Sequence, residues 1–223
     1  MSKGLFFQAV FKFLLGVAAV GVLIFLPAGT LHYPNGWLLM GILFVPMFLA
    51  GIIMMIKNPA LLQKRLNARE KQPEQGLVIK LGGLMFIAGF VLAGLSFRFG
   101  WGMLPGAVSW VGTALFLLSY LMYGEVLREN TYLSRTVEVQ QGQRVIDTGL
   151  YGIVRHPMYS VTVIMFLSMP LVLGSGLSFA VFLFYPLIIA RRIVNEEALL
   201  ERELEGYSEY KKKVRYKIIP FVW

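Results

Sequence analysis

Residues 158–190 read MYSVTVIMFLSMPLVLGSGLSFAVFLFYPLIIA, a run of 33 residues without a charge. At about 1.5 Å per residue a continuous helix of that length would be about 50 Å long. The hydrocarbon core of a bilayer is only about 30 Å thick. Leu173-Gly174-Ser175-Gly176 lies at the middle of the run, and Gly-Ser-Gly is a place to turn. The run is therefore expected to be a helical hairpin that enters the membrane and comes back. Its arms, 158–173 and 177–190, would be about 24 and 21 Å long. That is short for a full crossing, so they tilt, thin the bilayer or stop short of the far face. The polar stretches that flank the run, Gly149–Tyr159 (GLYGIVRHPMY) and Arg191–Glu197 (RRIVNEE), then meet at one surface. Arg155 and His156 face Arg192, Glu196 and Glu197 there, and this meeting is the candidate site.

Composition supports a membrane protein. Hydrophobic residues make up 57% of 223, charged residues 15%, and the mean hydropathy is +0.67. A soluble domain is not so apolar. The net charge of +9 suits basic loops on the cytoplasmic side better than nucleic acid, since no basic-aromatic module is present. With no cysteine and only His32 and His156, no disulfide, thiolate metal site, cysteine nucleophile or His-rich metal cage is expected.

Working outward, four further spans are expected at 5–27, 36–56, 77–97 and 106–124. The first reads as a membrane helix and not a signal peptide. Pro46 sits inside the second, which membrane helices tolerate. Gly82-Gly83, Gly89 and Gly94 are placed for close helix approach in the third. Residues 57–76, with Lys57, Lys64, Arg65, Arg69, Glu70, Lys71 and Glu74, read as a solvated juxtamembrane helix and loop. In the polar segment 125–157, Thr136-Val137-Glu138-Val139 alternates like a strand and Gln141-Gly142 marks a turn. The organisation is thus all-α: a multi-pass transmembrane bundle of four spans (1–128), then a region (129–223) with the hairpin and a cytoplasmic tail helix.

Charge agrees with the fold-back. With the N-terminus inside and 158–190 returning to its starting side, only Arg98 of the 21 Lys and Arg residues lies outside. A single crossing would put the eight basic residues after position 190 outside, against the positive-inside bias.

On the tail helix, Ile193, Glu197, Leu200 and Leu204 share one stripe, so Glu197 sits in an apolar face. Arg192 and Glu196 are i,i+4 neighbours and can pair. In isolation they would be a surface ion pair on an interfacial helix. Beside a returning His156, ionisable groups at the membrane boundary mark a site. Pro157 suits a first helical turn, which puts Arg155-His156 just before the first arm, where anionic groups are attracted. Tyr151 and Tyr159 add aromatic faces and hydroxyls, and read otherwise as members of an interfacial aromatic belt. No Gly-x-Gly-x-x-Gly or Gly-x-x-x-x-Gly-Lys is present, so no soluble dinucleotide or P-loop module is expected. These residues describe a polar site at the cytoplasmic membrane face.

From about Glu129 to Trp223 the sequence resembles the isoprenylcysteine carboxyl methyltransferase family and its bacterial relatives, with phospholipid methyltransferases as cousins. The resemblance rests on Gly149-x-Tyr151, Arg155-His156-Pro157-x-Tyr159, Arg192-x-x-x-Glu196-Glu197, Gly206-Tyr207-x-x-Tyr210 and Val214-Arg215-x-x-x-Ile219-Pro220. It implies an integral-membrane methyltransferase, multi-pass in a bacterial inner membrane with both termini cytoplasmic. Its donor would be S-adenosylmethionine and its acceptor a lipophilic or prenylated small molecule or protein. By resemblance the cofactor contacts Gln143, Arg144, Val145, Ile146, Tyr151, His156, Pro157, Met158, Tyr159, Glu196 and Glu197. Arg192 and Glu196 would be catalytic, with Arg155 and Arg192 touching the substrate. Met158 stands where eukaryotic members often have a small residue.

Two other readings share these residues. Sterol reductases look similar in the hairpin and in an ending like Val214–Pro220, but use NADPH. A non-catalytic lipid-binding scaffold could keep the same fold.

Overall fold

The computed structural model describes residues 3–66, 75–134 and 136–223. Long apolar stretches become helices because a bilayer leaves backbone N–H and C=O groups no other way to be satisfied. In chain order these are α1 (Lys3–Ala28), α2 (Pro34–Lys57), α3 (Pro59–Leu66), α4 (Gly76–Phe99), α5 (Gly106–Glu129), α6 (Pro157–Val172), α7 (Gly176–Phe182), α8 (Tyr185–Glu203) and α9 (Tyr207–Lys213). The helices α1, α2, α4 and α5, and the stretch α7–α8, are long and apolar enough to cross a membrane, while α6 is shorter. The expected multi-pass helical bundle is present. Phe7, Phe11, Leu26, Trp110, Leu121 and Leu187 face outward, as a lipid-bathed surface requires. Ile24, Leu39, Phe90, Phe116, Val172 and Phe182 form the shared core.

The hairpin turns where its glycines lie. Gly174 takes φ +69, a region open to glycine at no steric cost. The turn is fastened at the end of the bundle remote from the site. Tyr33 Oη donates to Leu173 O at 2.5 Å, Ser175 Oγ to Ser96 Oγ at 2.9 Å, and Gly176 N to Gly102 O at 2.8 Å. The second arm differs from the expected single helix, because it breaks at Leu183-Phe184 between α7 and α8. Pro186 explains the break: it has no N–H to offer, and its ring would clash with the carbonyl four residues back, at Phe182. Helix α8 then runs without interruption from the apolar arm into the polar tail.

Small residues set two of the helix contacts. A Cβ on Gly94 would lie 2.4 Å from Ile24 O and 2.9 Å from Ala28 N of α1, and one on Gly89 would lie 2.3 Å from the Phe182 ring. Gly82 and Gly83 do not serve packing as expected: a Cβ there meets nothing within 4 Å, and both face a cavity. Gly94→Ala should therefore force α1 from α4 and cost roughly 1–3 kcal/mol, as overpacking does. Gly82→Ala should leave thermal unfolding in detergent unchanged or slightly later. Equal melting of the two variants would contradict the close approach.

Two further expectations meet the structure in the polar segments. The juxtamembrane helix forms as α3, while Arg69, Glu70, Lys71 and Glu74 lie outside the described residues. Gln141-Gly142 does turn, with Gly142 at φ +71, but 136–139 form no strand. Alternation sorts side chains to two sides, yet a strand needs a backbone ladder, and none forms among the described residues. Thr136 bonds locally instead, to Ser134 and Glu138.

Candidate functional site

The site begins at the first turn of α6. Pro157 occupies its start, and the preceding His156 is non-helical at φ −125, ψ 61. The backbone of Arg155 and His156 is held by the C-terminal segment: Arg155 N donates to Tyr216 O and His156 N to Lys217 O, both at 2.8 Å. Ser160 Oγ adds a bond to Ile218 O at 2.6 Å. The tail thus lends carbonyls that fix where the imidazole points.

Across from it, α8 brings two adjacent carboxylates that do different things. Glu197 is buried, its side chain 6% exposed. Its Oε1 accepts from Arg155 Nε at 2.7 Å and lies 3.1 Å from His156 Nε2, while Oε2 lies 3.6 Å from Lys217 Nζ. Tyr207 Oη adds a contact at 3.5 Å. Arg155 Nη1 also donates to Val214 O and Arg215 O. A buried charge needs this degree of pairing. Glu196 is more open, its side chain 23% exposed, with Oε1 3.9 Å from His156 Nδ1. It accepts a short hydrogen bond from Tyr159 Oη, which in turn accepts from Arg192 Nε at 2.9 Å. Tyr159 therefore bridges Arg192 and Glu196. The His156 ring stacks on Tyr159 at a centroid distance of 5.7 Å.

A cavity of about 910 Å³ opens onto this network. The residues expected at the site that line it are Gln143, Arg144, Val145, Ile146, Tyr151, Arg155, His156, Met158, Tyr159, Arg192 and Glu196. Its apolar wall includes Leu43, Met47, Phe86, Met165, Phe166 and Ile189. Nearly all the residues expected at the site are thus brought to one space. Pro157 and Glu197 are not among the lining residues: Pro157 shapes the helix start, and Glu197 is turned towards Arg155.

Other residues complete the wall. Asn130 Nδ2 donates to Tyr151 Oη at 2.9 Å, and Tyr210 Oη donates to Tyr151 O at 2.7 Å. Burial pushes the Tyr151 hydroxyl up to about 12, partly offset by the bond from Asn130. Burial likewise raises Tyr207 and Tyr210 well above the usual phenol value, so these hydroxyls stay protonated donors at neutral pH. Outside the cavity, Lys213 Nζ bonds Asp147 at 2.6 Å and holds its carboxyl below the usual range. Tyr207 and Tyr210 stand at i,i+3 in the sequence, a spacing that signals one shared face. For Asn130 no such signal exists.

Residues 110–202 match the model of the isoprenylcysteine carboxyl methyltransferase (ICMT) family. The Delta(14)-sterol reductase TM7SF2 of Mus musculus is 35% identical over 93 residues, 40% of this chain. The chain spans only 22% of that relative's length. The fold is similar to that of the eukaryotic intramembrane Ras methyltransferase ICMT, solved without a monobody, with a TM-score of 0.57 and 19% identity. That match covers 92% of this chain and 75% of the other. The matched region, which carries most of α5, the hairpin and the Arg192–Glu197 network, is what this chain shares with the isoprenylcysteine carboxyl methyltransferase family.

Proposed function

We propose that the protein moves a methyl group from S-adenosylmethionine to a carboxylate or amine of a lipophilic acceptor at the cytoplasmic membrane face. The observation that carries this reading is one cavity lined by both polar and apolar side chains, onto which Arg192, Tyr159 and Glu196 all open. The donor set suits a zwitterionic cofactor: Glu196 opposes an ammonium, and Tyr151 offers an aromatic face. When bound, S-adenosylmethionine supplies an electrophilic methyl group on a charged sulfur.

The residues of the chain then do three things. The loop 143–146, Tyr151, His156 and Glu196 hold the polar partner, and the rigid start of α6 fixes His156 among them. The apolar wall keeps water away, which favours a step in which charge disappears. Arg192 aims the acceptor: a carboxylate needs only a paired guanidinium to orient it and leaves as a neutral ester without proton transfer. An amine acceptor must lose a proton, and Glu196 or His156 is placed to take it. Alignment of the two partners supplies much of the rate.

The sterol-reductase reading is kept by one observation, the partial match to TM7SF2. Thermal shift of the detergent-solubilised protein separates the possibilities. Stabilisation by S-adenosylmethionine and S-adenosylhomocysteine, with none from NADPH, is the expected result. NADPH alone would support the reductase, and no response to any of them a lipid-binding scaffold. Labelling of Arg128→Cys and Trp223→Cys from the same side of the membrane checks the orientation, and labelling from opposite sides overturns it.

A further inference from the structure

Besides Arg144, Arg155 and Arg192, the cavity is lined by Arg65, which the Arg192–Tyr159–Glu196 network does not use. Arg65 lies in the last turn of α3 and lines the cavity, as do Leu62 of α3 and Lys12 of α1. Its Nη2 donates to the Tyr123 hydroxyl, and its guanidinium carbon lies 5.5 Å from the Tyr123 ring centroid. These contacts fix the group without neutralising it. Nη1 is buried and has no hydrogen-bond partner among the described residues. Lys12 Nζ is turned to Leu66 O at 2.5 Å, which steadies the C-terminal end of α3.

A charged donor removed from water is costly unless something pairs with it. Leu62 of the same helix and the apolar residues Phe13, Leu43 and Met47 line the same cavity. The missing partner is therefore an acceptor atom that arrives with a ligand, carries negative charge and is joined to hydrocarbon. Arg65 sits against Tyr123 of α5, whereas Arg192 sits against Tyr159 of α6, so the two arginines address different groups.

We infer that Arg65 binds a non-reacting acid group of the acceptor, so that the substrate is an anionic amphiphile held by its phosphate or carboxylate on Nη1. This rests on the methyltransferase reading for the word substrate, but the binding of the amphiphile stands on the geometry of Arg65 alone.

The test uses the full chain in a neutral maltoside detergent, with dodecyl phosphate, dodecanol and inorganic phosphate as probes. Dodecyl phosphate should bind wild type and bind Arg65→Gln about ten- to a hundredfold more weakly, the worth of a charge-assisted hydrogen bond. Dodecanol should not distinguish the two proteins, and inorganic phosphate should not displace dodecyl phosphate. Tyr123→Phe, which keeps the charge but loosens it, should fall between wild type and Arg65→Gln. Equal affinity of wild type and Arg65→Gln for dodecyl phosphate overturns the inference. Full competition by inorganic phosphate also overturns it, because it reveals a free-anion site. In methyl transfer to a membrane lipid extract, Arg65→Gln should raise KM and spare kcat. Unchanged KM beside lost dodecyl phosphate binding would assign the site to a bilayer lipid and not to the acceptor. S-adenosylhomocysteine binding should be the same in wild type and Arg65→Gln. If wild type fails to bind S-adenosylhomocysteine, the methyltransferase reading falls, while the dodecyl phosphate titration still decides Arg65.

Discussion

Glu197→Ala is expected to destabilise the protein by roughly 3–5 kcal/mol, the penalty for leaving one member of a buried ion pair behind. Arg155 is the member left behind. Its side chain is 4% exposed, and its Nε loses the carboxylate it now meets at 2.7 Å. The two carbonyls of Val214 and Arg215 satisfy Nη1 but carry no full charge to offset it. Thermal unfolding in detergent measures the loss. Glu197→Gln keeps an oxygen acceptor for Arg155 and should lose less. The double variant Arg155→Met/Glu197→Leu removes both charges and should lose less than the two single changes together, since contacting residues couple. Cofactor binding should fall with stability in Glu197→Ala, because His156 loses the contact that orients Nε2. A Glu197→Ala protein that melts like wild type would show that the ion pair does not fix the start of α6.

The hairpin was legible because three independent features agree on it: a run too long to cross once, glycines at its centre, and basic residues that belong on one side. The break in its second arm was not read from the sequence: Pro186 marks it, four residues after Phe182, but the uniformly apolar composition of the run concealed it. Glu197 shows where periodicity stops being informative. The stripe of Ile193, Glu197, Leu200 and Leu204 turns Glu197 inward, as the structure has it, but inward proves to be towards Arg155 and not towards the cavity. A helical stripe gives a direction and not the partner that waits there. The segments at 130–148 and 214–223 were less legible for another reason. They hold their places in part through single bonds to backbone carbonyls, such as Tyr132 Oη to Gly142 O at 3.0 Å and the tail carbonyls that receive Arg155 and His156. Any residue type supplies a carbonyl, so such a contact leaves no trace in side-chain identity. Arg65 shows the converse. Its neighbours in sequence mark a solvated helix, and only the bond from its guanidinium to Tyr123 of α5 shows that it serves the cavity.

Arg192→Ala is expected to lower methyl transfer by at least about a hundredfold, the scale set by loss of alignment between reacting groups. Binding of S-adenosylhomocysteine should stay near the wild-type level. The separation follows from the geometry. Arg192 reaches the network through Nε on Tyr159 at 2.9 Å, while the part of the wall proposed for the cofactor runs through His156, Tyr151 and Glu196. Glu196→Gln should show the opposite pattern and lose cofactor binding, because Glu196 is the carboxylate open to the cavity while Glu197 is committed to Arg155. Tyr159→Phe removes the hydroxyl that joins the two and should impair both, each less than the direct change. Arg192→Lys should not restore the rate, since an ammonium lacks the planar fork that fixes a carboxylate through two bonds. Transfer from radiolabelled S-adenosylmethionine to a membrane lipid extract, with S-adenosylhomocysteine titrations on the same preparations, reads both quantities. Full turnover in Arg192→Ala would remove Arg192 from the acceptor side. Joint loss of turnover and cofactor binding in that variant would move it to the cofactor side, and Tyr159 would then be a strut within the cofactor wall instead of the bridge between two sites.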